Sequence, residues 1–388
     1  MIITLFIYYH TMAGLYIHIP FCKQLCYYCD FYFSVSLQRK DEMLRTLAKE
    51  VEIRAKENNP AFSEISTIYI GGGTPTVYTP EELGLLINTV KANFFAENIT
   101  EFTVEANPDD LTTQYLEGLK KIGVDRLSIG IQSFIDRDLK WMNRRHTAQE
   151  AIESVKLSQQ AGFNNITIDL IYGIPTMTLS EWRHNLETAL SLNIQHLSAY
   201  HLTIEEKTVF GKQQKRGLLT QLDEEESEKQ FLLLRELTNN AGFEHYELSN
   251  FAKDGRHGIH NSSYWKQQPY IGIGPSAHTY DGEQIRRWNL SNNIHYIERI
   301  GSTAIFYEQE ELDIPTKYNE YILTSLRTKW GIDISYIKDK FGNYYLNYFE
   351  RQVDKLLKSK QLEKKGQSVK ISSAYLFLLD NITSSLFV

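Results

Sequence analysis

Six short β-rich runs, Leu15–Pro20, Ser66–Ile70, Glu101–Ala106, Arg126–Ile131, Asn165–Tyr172 and Gln195–Leu202, follow one another with helical patterns between them. The stretches Asp41–Asn58, Pro80–Phe95, Leu111–Ile122, Ala148–Ala161 and Leu179–Leu192 are amphipathic. Strand and helix alternating this way imply βαβ units and a parallel sheet, so the fold class is α/β. Six units are fewer than the eight that close a (β/α)8 barrel, which predicts an open (β/α)6 partial barrel. In such folds the chemistry gathers at the carboxyl ends of the strands.

After Leu202 the alternation stops. Asp223-Glu224-Glu225-Glu226 opens a helix that runs to Asn240 and is closed by Gly242. Acidic residues suit the positive end of a helix, so this run reads as a solvated helix start. Strand-like segments follow at Glu244–Phe251 and Tyr270–Tyr280. From Ile314 onward, two or three helices precede a hairpin at Leu362–Ile371, turning at Lys365-Gly366. That pattern predicts a small, mainly helical, winged-helix-like C-terminal domain. The expected division is an extension at 1–13, a core domain at 14–240, a connecting region at 241–307 and the C-terminal domain at 308–388. Lys355, Lys358, Lys360, Lys364 and Lys365 make the last part basic. A basic amphipathic helix is usually a solvated face, and no DNA partner is expected.

The only cysteines are Cys22, Cys26 and Cys29, spaced C-x3-C-x2-C. That spacing can hold three irons of a four-iron cluster and leaves the fourth iron without a protein ligand. With no cysteine left for a disulfide, a reducing cytosol is the expected compartment. The formal charge of −7 gives no drive toward nucleic acid or anionic membrane. The 24 Tyr and 19 Phe fit either a flat apolar ligand site or ordinary core packing. Residues 1–10 are apolar but too short to span a bilayer, and they lack the basic start of a signal peptide. Met12-Ala13-Gly14 directly before the first strand fits a natural start at Met12, with the preceding residues non-native or disordered.

The cysteine segment, with Tyr16-Ile17-His18-Ile19-Pro20 before it, resembles the radical S-adenosylmethionine (SAM) enzymes. Within them it is similar to the group that contains oxygen-independent coproporphyrinogen III dehydrogenase and the heme chaperone HemW. The resemblance implies a [4Fe–4S] cluster on Cys22, Cys26 and Cys29, with SAM chelating the open iron. It also implies a low-potential electron donor and, in the superfamily, cleavage of SAM to methionine and a 5′-deoxyadenosyl radical. Gly71-Gly72-Gly73-Thr74-Pro75-Thr76 follows the second strand, where glycines let backbone approach a ligand closely. By resemblance, Gly72, Gly73 and Thr74 hold the methionine end of SAM. Glu105, Gln132, Arg144 and Asp169, at or beyond successive strand ends, contact SAM in the same way. Tyr16 meets its methionine or sulfonium part, and the backbones of Tyr28 and Thr203 meet adenine.

Two features separate the subfamilies. The dehydrogenases carry a further cysteine two residues past the triad, where this chain has Phe31. His260-Asn261-Ser262-Ser263-Tyr264-Trp265 matches the HNxxYW motif that HemW proteins associate with heme. Histidine is a natural axial ligand, so His260 is expected to bind heme iron, with Tyr264 and Trp265 against the porphyrin face. His257 is the rival ligand. The implied function is a heme chaperone that serves apo-hemoproteins such as respiratory enzymes, with transient contact to membrane proteins. The enzymatic alternative is a coproporphyrinogen III dehydrogenase, which oxidatively decarboxylates propionates to vinyl groups. Phe31 and the HNxxYW motif argue against it.

Overall fold

The structure is a computed structural model that describes residues 12–302 and 304–388. Strands β1 (Met12–Ile19), β2 (Glu64–Gly72), β3 (Glu101–Ala106), β4 (Arg126–Gln132), β5 (Ile166–Tyr172) and β6 (His196–His201) pair in chain order, all parallel. Each matches a predicted run to within a few residues. Alternation along the strands divides their side chains. Leu15, Ile17, Ile68, Ile70, Val104, Ile129 and Ile168 are fully buried in the apolar core. Glu105, Ser128, Gly130, Asp169 and Ser198 instead line a cavity inside the curved sheet. Apolar burial drives the first set into the core, and the second set is left to do chemistry.

The crossover helices start where the chain can satisfy its own N-terminal donors. Thr79, Thr147 and Thr178 each form a reciprocal cap with Glu82, Glu150 and Glu181, which fixes where the helices at Pro80–Asn93, Ala148–Gln160 and Leu179–Ser191 begin.

The six-stranded core does not close on itself. On the far side of β6, the short strands β7 (Glu244–Glu247) and β8 (Asn250–Ala252) add antiparallel strands, with β8 innermost. On the far side of β1, β9 (Tyr270–Ile273) pairs parallel to it. It is followed by antiparallel β10 (His278–Tyr280), β11 (Ile285–Asn289) and β12 (Tyr307–Glu311). Residues 241–311 therefore widen the barrel sheet at both edges to twelve strands instead of merely connecting two domains.

Two expected boundaries shift. Met12 and Ala13 already pair with Glu64 and Ile65, so the described chain belongs to the sheet from Met12 onward; residues 1–11 lie outside the described residues. Tyr307–Glu311 pairs with β11, so the C-terminal unit begins after it. That unit has its own core around Tyr318, Ile322, Ile337, Phe349 and Val369. It contains the helix Ile314–Leu326, a long helix Ile334–Lys358 broken at Gly342, and a small sheet. The sheet is formed by β13 (Ile332–Asp333), β14 (Leu362–Lys365) and β15 (Ser368–Ile371), with β15 in the middle. The hairpin turns where predicted. No described helix is long and apolar enough to cross a membrane.

Candidate functional site

The cysteine loop leaves β1 at its carboxyl end and is pinned at its base. Cys22 N donates to Ser34 O and Ser34 N to Pro20 O, both at 3.0 Å. Farther out, Tyr27 N donates to Met142 O at 3.1 Å, and Asn143 Nδ2 donates to Leu25 O at 2.6 Å. The turn that carries Met142 and Asn143 thus grips the loop and delivers the next residue, Arg144, to its inner side. Arg144 Nη1 lies 3.3 Å from Cys26 Sγ, and its Nη2 donates to Gly130 O at 2.5 Å and Asn107 Oδ1 at 2.7 Å.

Cys22, Cys26, Cys29, Tyr28, Gly72, Gly73, Thr74, Glu105, Gln132, Arg144, Asp169 and Thr203 all line one cavity of about 420 Å³. The chain thus brings twelve expected residues, drawn from the loop and from β2 to β6 and their ends, to a single wall. Tyr16 stands behind that wall. Its hydroxyl is 3.0 Å from His18 Nδ1, and its ring is 6.1 Å from that of Tyr69.

The cavity suits a cationic ligand with a carboxylate. Glu105 accepts from Tyr69 Oη at 2.7 Å and from Gly72 N at 3.1 Å, and burial pushes its carboxyl up to about 7. Asp169 accepts from Ser128 Oγ at 3.1 Å and is pushed up by burial to about 6. Desolvation penalises the charged forms until a positive group arrives. Arg144 Nε is buried without a hydrogen-bond partner. Gly73 leaves no room for a side chain, since a Cβ there would come within 2.4 Å of Phe21 O. Gln132 has φ of 72° beside a register shift in β4, a bulge that re-aims its side chain.

The cysteines fit a cluster rather than a single ion. Among the described residues, no three Cys, His, Asp or Glu side chains converge to hold one metal ion. A four-iron cluster does not require that, because its three thiolates bind three different irons. Thr74 Oγ1 donates to Cys22 Sγ at 3.4 Å, which links the glycine turn to the loop. Burial pushes the Cys22 thiol up to about 12 and the Cys29 thiol up to about 11. Metal binding reverses that preference by holding the thiolate.

The HNxxYW motif opens the short helix Ile259–Trp265, whose first N–H groups at Ile259 and His260 donate to Glu101 at 2.8 and 2.9 Å. Glu101 starts β3, so the helix plugs the end of the barrel opposite the cysteine loop. His260 is 1% exposed and stacks on Tyr69 at 5.3 Å. Its Nδ1 is 2.8 Å from Thr67 Oγ1 and its Nε2 is 2.8 Å from Tyr264 Oη. Burial pushes its pKa down to about 3, so the ring is neutral. A neutral imidazole has one donor and one acceptor, and both are used. The expectation that His260 offers an axial nitrogen, with Tyr264 and Trp265 as a porphyrin face, is not what this geometry presents. Tyr264 packs edge-on against Tyr270 at 4.6 Å, and Trp265 lies under Arg327. His257 is paired with Glu244 at 2.8 Å and stacked on Tyr246. From the motif, Asn261 alone reaches the cavity.

The Radical SAM superfamily model matches residues 16–189. Over 362 residues, 92% of each protein, the chain is 36% identical to the heme chaperone HemW of Bacillus subtilis. The HemW of Lactococcus lactis is 34% identical over 368 residues, 95% of each. The chain belongs to the HemW family of radical SAM proteins. Membership implies a [4Fe–4S] cluster and SAM. Among solved structures, coproporphyrinogen III oxidase (HemN) from Escherichia coli superposes with a TM-score of 0.84 at 21% identity, covering 98% of this chain and 91% of that one. That likeness establishes the shared fold.

Three site residues escaped the sequence. Tyr69 holds Glu105. Asn107 bridges Arg144 and Thr74, accepting from the first at 2.7 Å and donating to the second at 3.3 Å. Ser128 holds Asp169. Each sits within three residues of an expected site residue or at its register partner on the next strand, and strand pairing is the signal that finds them: Ser128 is opposite Glu105.

Proposed function

We propose that this chain is a heme chaperone that holds a [4Fe–4S] cluster and SAM at the barrel mouth, binds heme, and passes it to apo-hemoproteins such as respiratory enzymes. The observation that carries this reading is similarity over more than nine-tenths of the chain to proteins named heme chaperones. Phe31 supports it, standing where the related dehydrogenases carry a further cysteine, with 71% of its surface exposed at the cavity rim. The likeness to coproporphyrinogen III oxidase extends to the fold alone.

In this reading Cys22, Cys26 and Cys29 hold the cluster. Gly72, Gly73 and Thr74 cradle the methionine end of SAM, with Tyr16 behind them, and Arg144 meets its carboxylate. Glu105 and Asp169 offset its positive charge, Gln132 reaches it from the β4 bulge, and the backbones of Tyr28 and Thr203 flank adenine. When bound, the two cofactors supply one-electron chemistry. The chain's own residues orient SAM and screen the site from water. The protein works in the cytosol and draws on a low-potential electron donor.

The test is transfer. Reconstituted protein loaded with hemin should restore activity to a heme-depleted respiratory oxidoreductase faster than free hemin does. Protein that retains no hemin through gel filtration, or that donates none, overturns the reading.

A further inference from the structure

His18 is buried in the inner wall of the barrel, two positions past Tyr16 on β1 and therefore on the same face of the strand. Its neighbours Ile17 and Ile19 point the other way, into the apolar core. The side chain is 4% exposed, and burial pushes its pKa down to about 4, so the ring is neutral at pH 7. Its Nε2 lies 2.8 Å from Tyr32 O and its Nδ1 lies 3.0 Å from Tyr16 Oη. A carbonyl oxygen accepts and cannot donate, so Nε2 carries the hydrogen. Nδ1 is then a lone pair, and it accepts from the Tyr16 hydroxyl.

The same ring backs the glycine turn. Gly72 has φ of 104°, and a Cβ there would come within 2.4 Å of His18 Nδ1. The backbone of His18 is fixed in turn by Gly274, where a Cβ would come within 2.5 Å of His18 O.

The Tyr32 end of this contact belongs to the cysteine loop. Among the described residues, 30–33 make two hydrogen bonds beyond the loop, and Tyr32 makes both. Its carbonyl accepts from His18, and its hydroxyl accepts at 2.8 Å from the backbone N–H of Asn293, which opens the helix Asn293–Gly301. The limb that returns from Cys29 to Ser34 thus hangs on Tyr32. Burial raises the Cys29 thiol, and the backbone N–H of Phe31, donating to it, works the other way. Hydrogen bonds to cluster sulfurs help to set the reduction potential. Tyr32, one residue on, is the anchor that keeps this N–H aimed.

We propose that His18 is a positioning residue that ties the SAM cradle to the cysteine loop, so that one ring sets the geometry of both. This rests on the cluster and SAM assignment above. The bridge runs from the Tyr16 hydroxyl to His18 Nδ1, and from His18 Nε2–H to Tyr32 O, with Gly72 packed on the ring. Loss of the ring leaves Tyr32 held by its hydroxyl alone, frees the Phe31 N–H from Cys29, and removes the support behind Gly72. Cluster potential and SAM affinity therefore change together, although every cysteine is intact.

The test is an anaerobic redox titration of the reconstituted full chain, read by electron paramagnetic resonance, with SAM affinity measured beside it. His18→Ala should keep about four irons per chain. Its midpoint potential should fall by ~59 mV or more, a tenfold change in the one-electron equilibrium. SAM binding should weaken about tenfold or more, the scale on which outer partners support a site. His18→Gln keeps an amide donor for Tyr32 O and should move both values back toward the parent, a rescue that bulk packing would not give. Tyr16→Phe cuts the bridge at its other end without opening a cavity, and should shift the potential of the SAM-free cluster in the same direction. An unchanged potential in a folded His18→Ala protein, or in Tyr16→Phe where His18→Ala does not fold, overturns the positioning role and leaves the cofactor assignment standing. A parent protein that assembles no cluster overturns both.

Discussion

Replacing His260 with alanine separates a structural motif from a heme-binding one. The side chain is 1% exposed, and it is the hydrogen-bond partner of both Thr67 Oγ1 and Tyr264 Oη. Its loss leaves two buried hydroxyls unpaired at about 1–3 kcal/mol each. Its stack on Tyr69 adds about 0.5–1.5 kcal/mol more. The expected destabilisation is about 4 kcal/mol, a large share of the 5–15 kcal/mol or so that holds a typical domain together. Urea denaturation of the anaerobically reconstituted protein, followed by circular dichroism, measures it. His278→Ala is the control, because an exposed and unbonded side chain should change stability by less than about 0.5 kcal/mol. A His260→Ala protein as stable as the parent, yet unable to bind hemin, would refute the structural reading of the motif.

Alanine at Cys22, Cys26 or Cys29 should each abolish the iron and sulfide content of about four per chain and the brown absorbance; full retention in any one mutant would remove that cysteine from the cluster. Asp169→Ala should keep the cluster, because the carboxylate is held by Ser128 and Ser198 on the neighbouring strands and by no cysteine, and should weaken SAM binding by about 10- to 150-fold in calorimetry. Arg144→Ala, whose guanidinium touches Cys26 Sγ, should disturb both cluster and SAM. The carboxyl of Glu105 is raised from 4.5 to about 7 in the fold. The folded state therefore holds its proton longer than the unfolded state does, and stability of the cofactor-free protein should fall as pH rises from 4.5 to about 7. Glu105→Gln should flatten that slope, and an unchanged slope would show that the buried carboxyl is not its source.

The parallel core was legible because βαβ units leave a double signature, apolar strands and amphipathic crossovers, and β3 runs over the predicted Glu101–Ala106. The edges were not. Tyr307–Glu311 is mostly exposed and acidic, so nothing apolar marks it as a strand, and only its pairing with β11 makes it one. The cavity was legible because its residues cluster at strand ends, where topology must bring them together. Gln132 shows the limit: its position was evident, but the bulge that aims it was not. His260 shows a deeper one. A histidine in a motif looks the same whether it faces solvent or core, and only the packed helix reveals Thr67 and Tyr264 at its two nitrogens.

Anaerobic incubation of the reconstituted protein with SAM and reductant, offered either hemin or coproporphyrinogen III, tests the central claim most directly. A heme chaperone binds hemin stoichiometrically and forms no vinyl product from coproporphyrinogen III. Sustained conversion of coproporphyrinogen III to protoporphyrinogen IX, without retention of hemin, would contradict it.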